Sequence, residues 1–110
     1  MAGLSRLSDL NITDPILRGH FYLRIMEYVK KGSSELTSYT IKIDEEYRYD
    51  LASQRAFGTP SLDWLIALVA GNIDMSYPLP LGETLKFPTP AWIRQDMRDF
   101  MDEMGITDAS

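Results

Sequence analysis

The chain has 110 residues, 45% of them hydrophobic and 25% charged, a length and balance that suit one core and leave no room for two comfortable ones. A formal net charge of -5 argues against a nucleic-acid partner, since phosphate binding draws on clustered Lys and Arg, and the one basic pair, Lys30-Lys31, reads as a solvated turn. Cysteine is absent, so disulfides and thiolate metal sites are excluded and packing must hold the fold together.

The opening "MAGLSRLSDLNITDPIL" lacks the continuous apolar stretch and cleavage site of a secretory signal, and the longest apolar run, "WLIALVAG", is too short to cross a bilayer. The expectation is a soluble chain that begins in the cytoplasm and has no membrane partner. Ser5, Ser8, Asp9, Asn11, Thr13, Asp14 and Pro15 punctuate residues 1–19, which read as an arm that stays irregular unless a partner orders it.

Residues 20–38 read as a strand and turn extension. In "HFYLRIMEYV" the apolar positions fit a helical stripe (Tyr22, Ile25, Met26, Val29) as well as alternation (Phe21, Leu23, Ile25, Val29), and the count alone does not decide. Gly19 before the run, "KKGSSE" after it, and the aromatic and branched residues within it favour a strand. "LTSYTIKID" is a better strand, because Thr40 and Lys42 alternate with Tyr39, Ile41 and Ile43.

Two short helices follow. Tyr49, Ala52, Ala56 and Phe57 recur at helical spacing, and Gly58 falls where a left-handed C-terminal residue is wanted. Thr59 can cap the next helix with Pro60 in its first position, after which Leu62, Leu65, Ile66 and Val69 form a stripe that Gly71 ends. Pro78 and Pro80 exclude a central strand in "NIDMSYPLPLGE", whereas "TLKF" puts Leu85 and Phe87 on one face, is led in by the Gly82-Glu83 turn and is stopped by Pro88. A strand so short should pair with "YTIKI", giving a strand-helix-helix-strand unit. Residues 89–105 are the clearest helix: Thr89 caps, Pro90 follows, and Ile93, Met97, Phe100, Met101 and Met104 oppose a charged face until Gly105. Residues 106–110 are a tail.

The run from Tyr39 to Pro88 resembles a LysM-type module, through "YTIK", "AFGT", Asn72-Ile73 and "LPLGETLKFP" in that order. More specifically, Phe57, Gly58, Leu62, Trp64, Ile66, Asn72, Ile73 and Asp74 follow a pattern similar to that of the LysM-like baseplate wedge proteins of contractile-tailed bacteriophages. The departures are Phe57 for a Tyr, and "DMSYP" where a proline would follow the Asp more closely. The resemblance implies an α+β fold with a LysM-like β-α-α-β core, an N-terminal arm and strand, and a C-terminal amphipathic helix. It implies a structural subunit of a virion tail baseplate, assembled in the host cytoplasm, present in several symmetry-related copies, with other tail subunits as partners and no cofactor.

Catalysis has little to stand on. His20 is the single histidine and has no nucleophile context, so the expectation is not an enzyme. Asp44-Glu45-Glu46 and Asp102-Glu103 read as solvated turns or surface ion pairs, because adjacent carboxylates do not converge by themselves, and no metal site is expected. The rival function is glycan binding in a groove formed by residues 44–49 and 71–77, where Tyr47, Tyr49 and Tyr77 would stack on sugar faces. For protein contacts the candidates are Trp64, Trp92, Phe100, Met101 and Met104, with core packing weighed against interface for Trp64. The terminal helix has two open readings: it faces a partner, or it folds back on "FYLRIMEY".

Overall fold

A computed structural model describes residues 8–32, 34–72 and 75–105, with only the backbone of Leu10. The expected arm segment 1–7, the tail 106–110, and Ile73 and Asp74 of the wedge-like pattern lie outside the described residues. The fold is α+β: helices α1 (Pro15–Lys30), α2 (Tyr49–Phe57), α3 (Asp63–Ala70) and α4 (Pro90–Glu103) accompany a two-stranded sheet of β1 (Thr37–Thr40) and β2 (Thr84–Phe87).

The expected strand at residues 20–29 is instead the second half of α1. Asp14 caps the helix, its carboxylate accepting the Ile16 N–H at 2.9 Å, and Pro15 occupies the first turn. Phe21 and Ile25 are fully buried on one side, with Leu17, Tyr22 and Val29 packed beside them. That face spans two other helices, so tertiary burial overrides the β preference of the aromatic and branched residues.

The arm reading is corrected as well where the chain is described. A short 3-10 turn at Asp9–Asn11 leads to Ile12, which is fully buried, and the Arg18 side chain donates to the Ile12 carbonyl at 2.9 Å. Residues 8–14 are therefore ordered by their own chain. Tyr22 also donates its hydroxyl to Asp9.

The strand-helix-helix-strand unit has the expected order. β1 and β2 run antiparallel with Thr37 opposite Phe87 and Thr40 opposite Thr84. At their far end a turn is closed by the Glu83 N–H to the Pro80 carbonyl at 3.2 Å, and Gly82 sits in its third position with φ of 79°. That positive φ is what a type II turn requires. Gly82 and Glu83 both oppose Ile41: the Gly82 N–H donates to the Ile41 carbonyl at 2.9 Å, and the Ile41 N–H donates to Glu83 at 3.0 Å. This is a glycine-initiated bulge, which ends regular pairing.

The joint between α2 and α3 turns on Gly58, at φ of 78°, and on Thr59-Pro60, which open a 3-10 turn at Pro60–Leu62. Ser53 locks it from below. Its buried hydroxyl donates to the Thr59 carbonyl at 2.5 Å and accepts the Leu62 N–H at 3.2 Å, bonding two backbone groups of the joint.

α4 is capped by Thr89 as expected, the hydroxyl accepting the Trp92 N–H at 3.2 Å, and it folds back on α1. Phe100 meets Phe21 at 5.6 Å between ring centroids, and Trp92 stacks on Tyr28 at 4.1 Å and 12°. Arg24 of α1 bridges Asp96 at 2.7 Å and Glu103 at 3.1 Å. One hydrophobic cluster runs through Ile12, Phe21, Leu65, Phe87 and Phe100, so the flanking segments and the central unit share a single core.

Candidate functional site

Expectation and structure part ways over which apolar residues are free to meet a partner. Trp64 is 7% exposed and packs its ring on Phe21 and Tyr22, and Phe100 is 1% exposed under Arg24. For Trp64 the core alternative holds, and Phe100 is corrected from a contact residue to a core residue, because α1 supplies the cover that the β-strand reading withheld. Trp92 and Met101 are half-buried against the same core, and Met104, at the end of α4, is 46% exposed.

Apart from Ile16 and Leu23 on α1 and Met104, exposed apolar side chains gather on the two loops that flank the strand pair. Ile43 is 82% exposed, Tyr47 61%, Tyr77 49% and Leu81 40%. Backbone geometry brings these loops together. The Leu79 N–H donates to the Glu46 carbonyl at 2.7 Å, and the Tyr49 hydroxyl donates to the Tyr77 carbonyl at 2.6 Å. Asn72 adds a second tie through its side-chain amide, which donates to the Tyr49 hydroxyl and, at 3.3 Å, to the Pro78 carbonyl. Leu79 is buried between its flanking prolines and pins the seam to the core.

Ile43 was expected on the buried face of β1 with Tyr39 and Ile41. Alternation holds to Ile41, which is 1% exposed, and then breaks. The cause is Glu45. Its carboxylate is wholly buried and accepts the Lys42 N–H at 2.8 Å, the Tyr39 hydroxyl at 2.5 Å and the Arg55 guanidinium at 3.0 Å. Satisfying that charge curls residues 43–45 into a 3-10 turn and turns Ile43 outward. Arg55 also grips Asp44 with two bonds of 2.8 Å and holds its carboxyl below the usual carboxylate range. Burial, with the hydrogen bond to Glu45, pushes the Tyr39 hydroxyl up from 10.0 to about 12. The loop is thus cross-tied by hydrogen bonds around Glu45 and presents its apolar residues on that frame.

Of the three tyrosines expected in a sugar groove, two are available. Tyr47 and Tyr77 are exposed on the seam, whereas Tyr49 is 2% exposed and its hydroxyl is engaged in joining the loops. Tyr49 is therefore corrected from a stacking platform to a structural tie. The 71–77 side of that groove includes residues 73–74, outside the described residues.

Two surface grooves flank α1. One, of about 290 Å³, lies between Tyr22, Trp64, Leu68 and Met75; the other, of about 230 Å³, lies between Arg24, Glu27, Lys31 and the stacked Tyr28 and Trp92. Among the described residues no cluster of three or more His, Asp or Glu side chains is placed to hold a metal ion, and no helix is long and apolar enough to cross a membrane. Comparison with protein-family models, with curated proteins and with solved structures finds no match.

Proposed function

We propose that this chain is a structural subunit of a contractile-tail baseplate that joins neighbouring subunits through protein contacts. The order of "YTIK", "AFGT", Asn72 and "LPLGETLKFP" along the chain supports the family part of that reading. The observation that carries the contact part is the seam: Ile43, Tyr47, Tyr77 and Leu81 stand 40% to 82% exposed on loops that backbone bonds hold in place. Exposed apolar residues on a fixed frame lower the ordering cost of association and supply the aromatic anchors that interfaces favour. The same loops carry charges of both signs, Glu46 and Glu83 beside Lys42 and Arg48, so a partner surface with apolar knobs and a mixed polar rim fits them best.

The experiment is assembly with a seam variant. Ile43→Asp together with Leu81→Asp should leave the chain folded and exclude it from tail particles, and full incorporation of that variant would overturn the reading. Tail-tube, sheath and spike genes beside its own would support the baseplate assignment, and their absence would count against it.

A second reading keeps one observation in its favour, the exposed pair Tyr47 and Tyr77 where the two loops meet. Titration with chitin or peptidoglycan oligomers separates the two. Saturable binding at micromolar concentration that Tyr47→Ala removes would replace the assembly reading with glycan recognition.

A further inference from the structure

The groove between α1 and α3 joins an apolar lining to a charge that the chain leaves unneutralised. Tyr22 of α1 and Trp64, Ala67 and Leu68 of α3 line it together with Met75 and Asp9, and its volume of about 290 Å³ suits an extended side chain better than a cofactor. The Asp9 carboxylate accepts the Tyr22 hydroxyl, yet among the described residues no Lys or Arg side chain pairs with it. Asp63, beside Trp64 at the start of α3, is placed alike: its carboxylate accepts the Trp64 N–H at 2.8 Å and has no cationic partner. Burial raises the Asp63 carboxyl above its ordinary value, and the charges of Asp9 and Asp50 add to the rise, so the field here is negative. The basic side chains close by are engaged elsewhere. Arg18 donates to the Ile12 and Thr13 carbonyls, and Arg48 pairs with Asp50.

We propose that this groove receives an arginine side chain of a partner protein, its stem against Trp64 and Leu68 and its guanidinium on Asp9. Charge complementarity selects the occupant. A purely apolar knob would cover Asp9 without supplying a donor, and a carboxylate withdrawn from water without a partner is costly. An acidic side chain would add repulsion. A guanidinium supplies several donors, is more weakly hydrated than an ammonium, and can lie against an aromatic ring such as that of Tyr22. The methylene stem meanwhile covers the apolar lining that a smaller cation would leave wet. The net charge of -5 acts in the same direction at longer range, because it draws a basic surface towards the chain and keeps other copies of the chain away. This inference does not rest on the baseplate reading.

NMR of the full chain during titration with the capped tripeptide acetyl-Gly-Arg-Gly-amide tests it. The Trp64 indole and Leu68 methyl signals should move and saturate at millimolar peptide, while the Trp92 indole, in the other groove, holds still. The same peptide with citrulline in place of arginine keeps the shape without the charge and should bind about tenfold more weakly or worse. Asp9→Asn keeps an acceptor for the Tyr22 hydroxyl and should weaken the arginine peptide by about three- to tenfold. Leu68→Lys puts a cation of the chain's own into the groove and should abolish binding in a chain that melts like the wild type. The absence of a saturable shift, equal affinity for the arginine and citrulline peptides, equal movement of Trp92, or an Asp9→Asn chain that binds like the wild type would each overturn the proposal. So would Trp64 and Leu68 signals that shift with protein concentration in the absence of peptide, since the occupant would then be a second copy.

Discussion

The terminal helix α4 and the loop seam both carry isoleucine and aromatic side chains among their apolar residues, and these meet opposite fates. In α4 the apolar stripe of Ile93, Met97 and Phe100 is between 0% and 3% exposed, because α1 lies over it. In the seam Ile43 and Tyr47 stand out in solvent, because a buried glutamate curls the chain beneath them. The helix has periodicity, and periodicity attracts cover. The loops have no period, and their exposure is set by hydrogen bonds to a charge that must be satisfied.

Substitutions can break that contrast, and they rank by how much packing each removes. Phe100→Ala deletes a ring that touches Phe21 and should cost about 3–5 kcal/mol of unfolding free energy, read from denaturant melts. Ser53→Ala leaves the Thr59 carbonyl and the Leu62 N–H without the hydroxyl that joins them, and the same melts should show a loss of about 1–3 kcal/mol. Gly82→Ala forces a Cβ into a left-handed turn and should cost about 1–2 kcal/mol, with the strand pairing loosened in amide exchange.

A pH-dependent effect sharpens the comparison at the frame of the seam. The Tyr39 hydroxyl is raised from 10.0 to about 12 in the folded chain, so between those values the folded state holds a proton that the unfolded state has released. Stability contributed by Tyr39 is full below pH 10 and is lost as pH rises through about 12. Melts from pH 9 to 12 should therefore fall more steeply in the wild type than in Tyr39→Phe. The smallest effect belongs to the seam surface itself. Tyr47→Ser should alter stability by no more than about 0.5 kcal/mol, since the ring is 61% exposed.

Much of the fold was legible because its helices are punctuated. Thr59-Pro60 and Thr89-Pro90 mark starts, Gly58 and Gly71 mark ends with φ of 78° and 79°, and each stands where expected. Asp14-Pro15 is the same kind of signal and announces α1 just as plainly. Gly19 and the aromatic and branched residues after it pull the reading towards a strand, and with α1 misread the cover for Trp64 and Phe100 disappears. That error alone leaves both residues open between core and interface. The seam was less legible for a different reason. Ile43 extends the alternation of Tyr39 and Ile41, and only the three-dimensional placement of Arg55 and Tyr39 around Glu45 reveals that the strand has already ended. The tie between Tyr49 and Asn72 depends likewise on two loops meeting, and no local pattern encodes it.

The claim that the seam, and not the terminal helix, is the contact surface is tested most directly by measuring both stability and incorporation into tail particles for Ile43→Asp with Leu81→Asp. The account predicts a melting temperature close to that of the wild type and loss of incorporation. Incorporation at the wild-type level by a folded variant would contradict it.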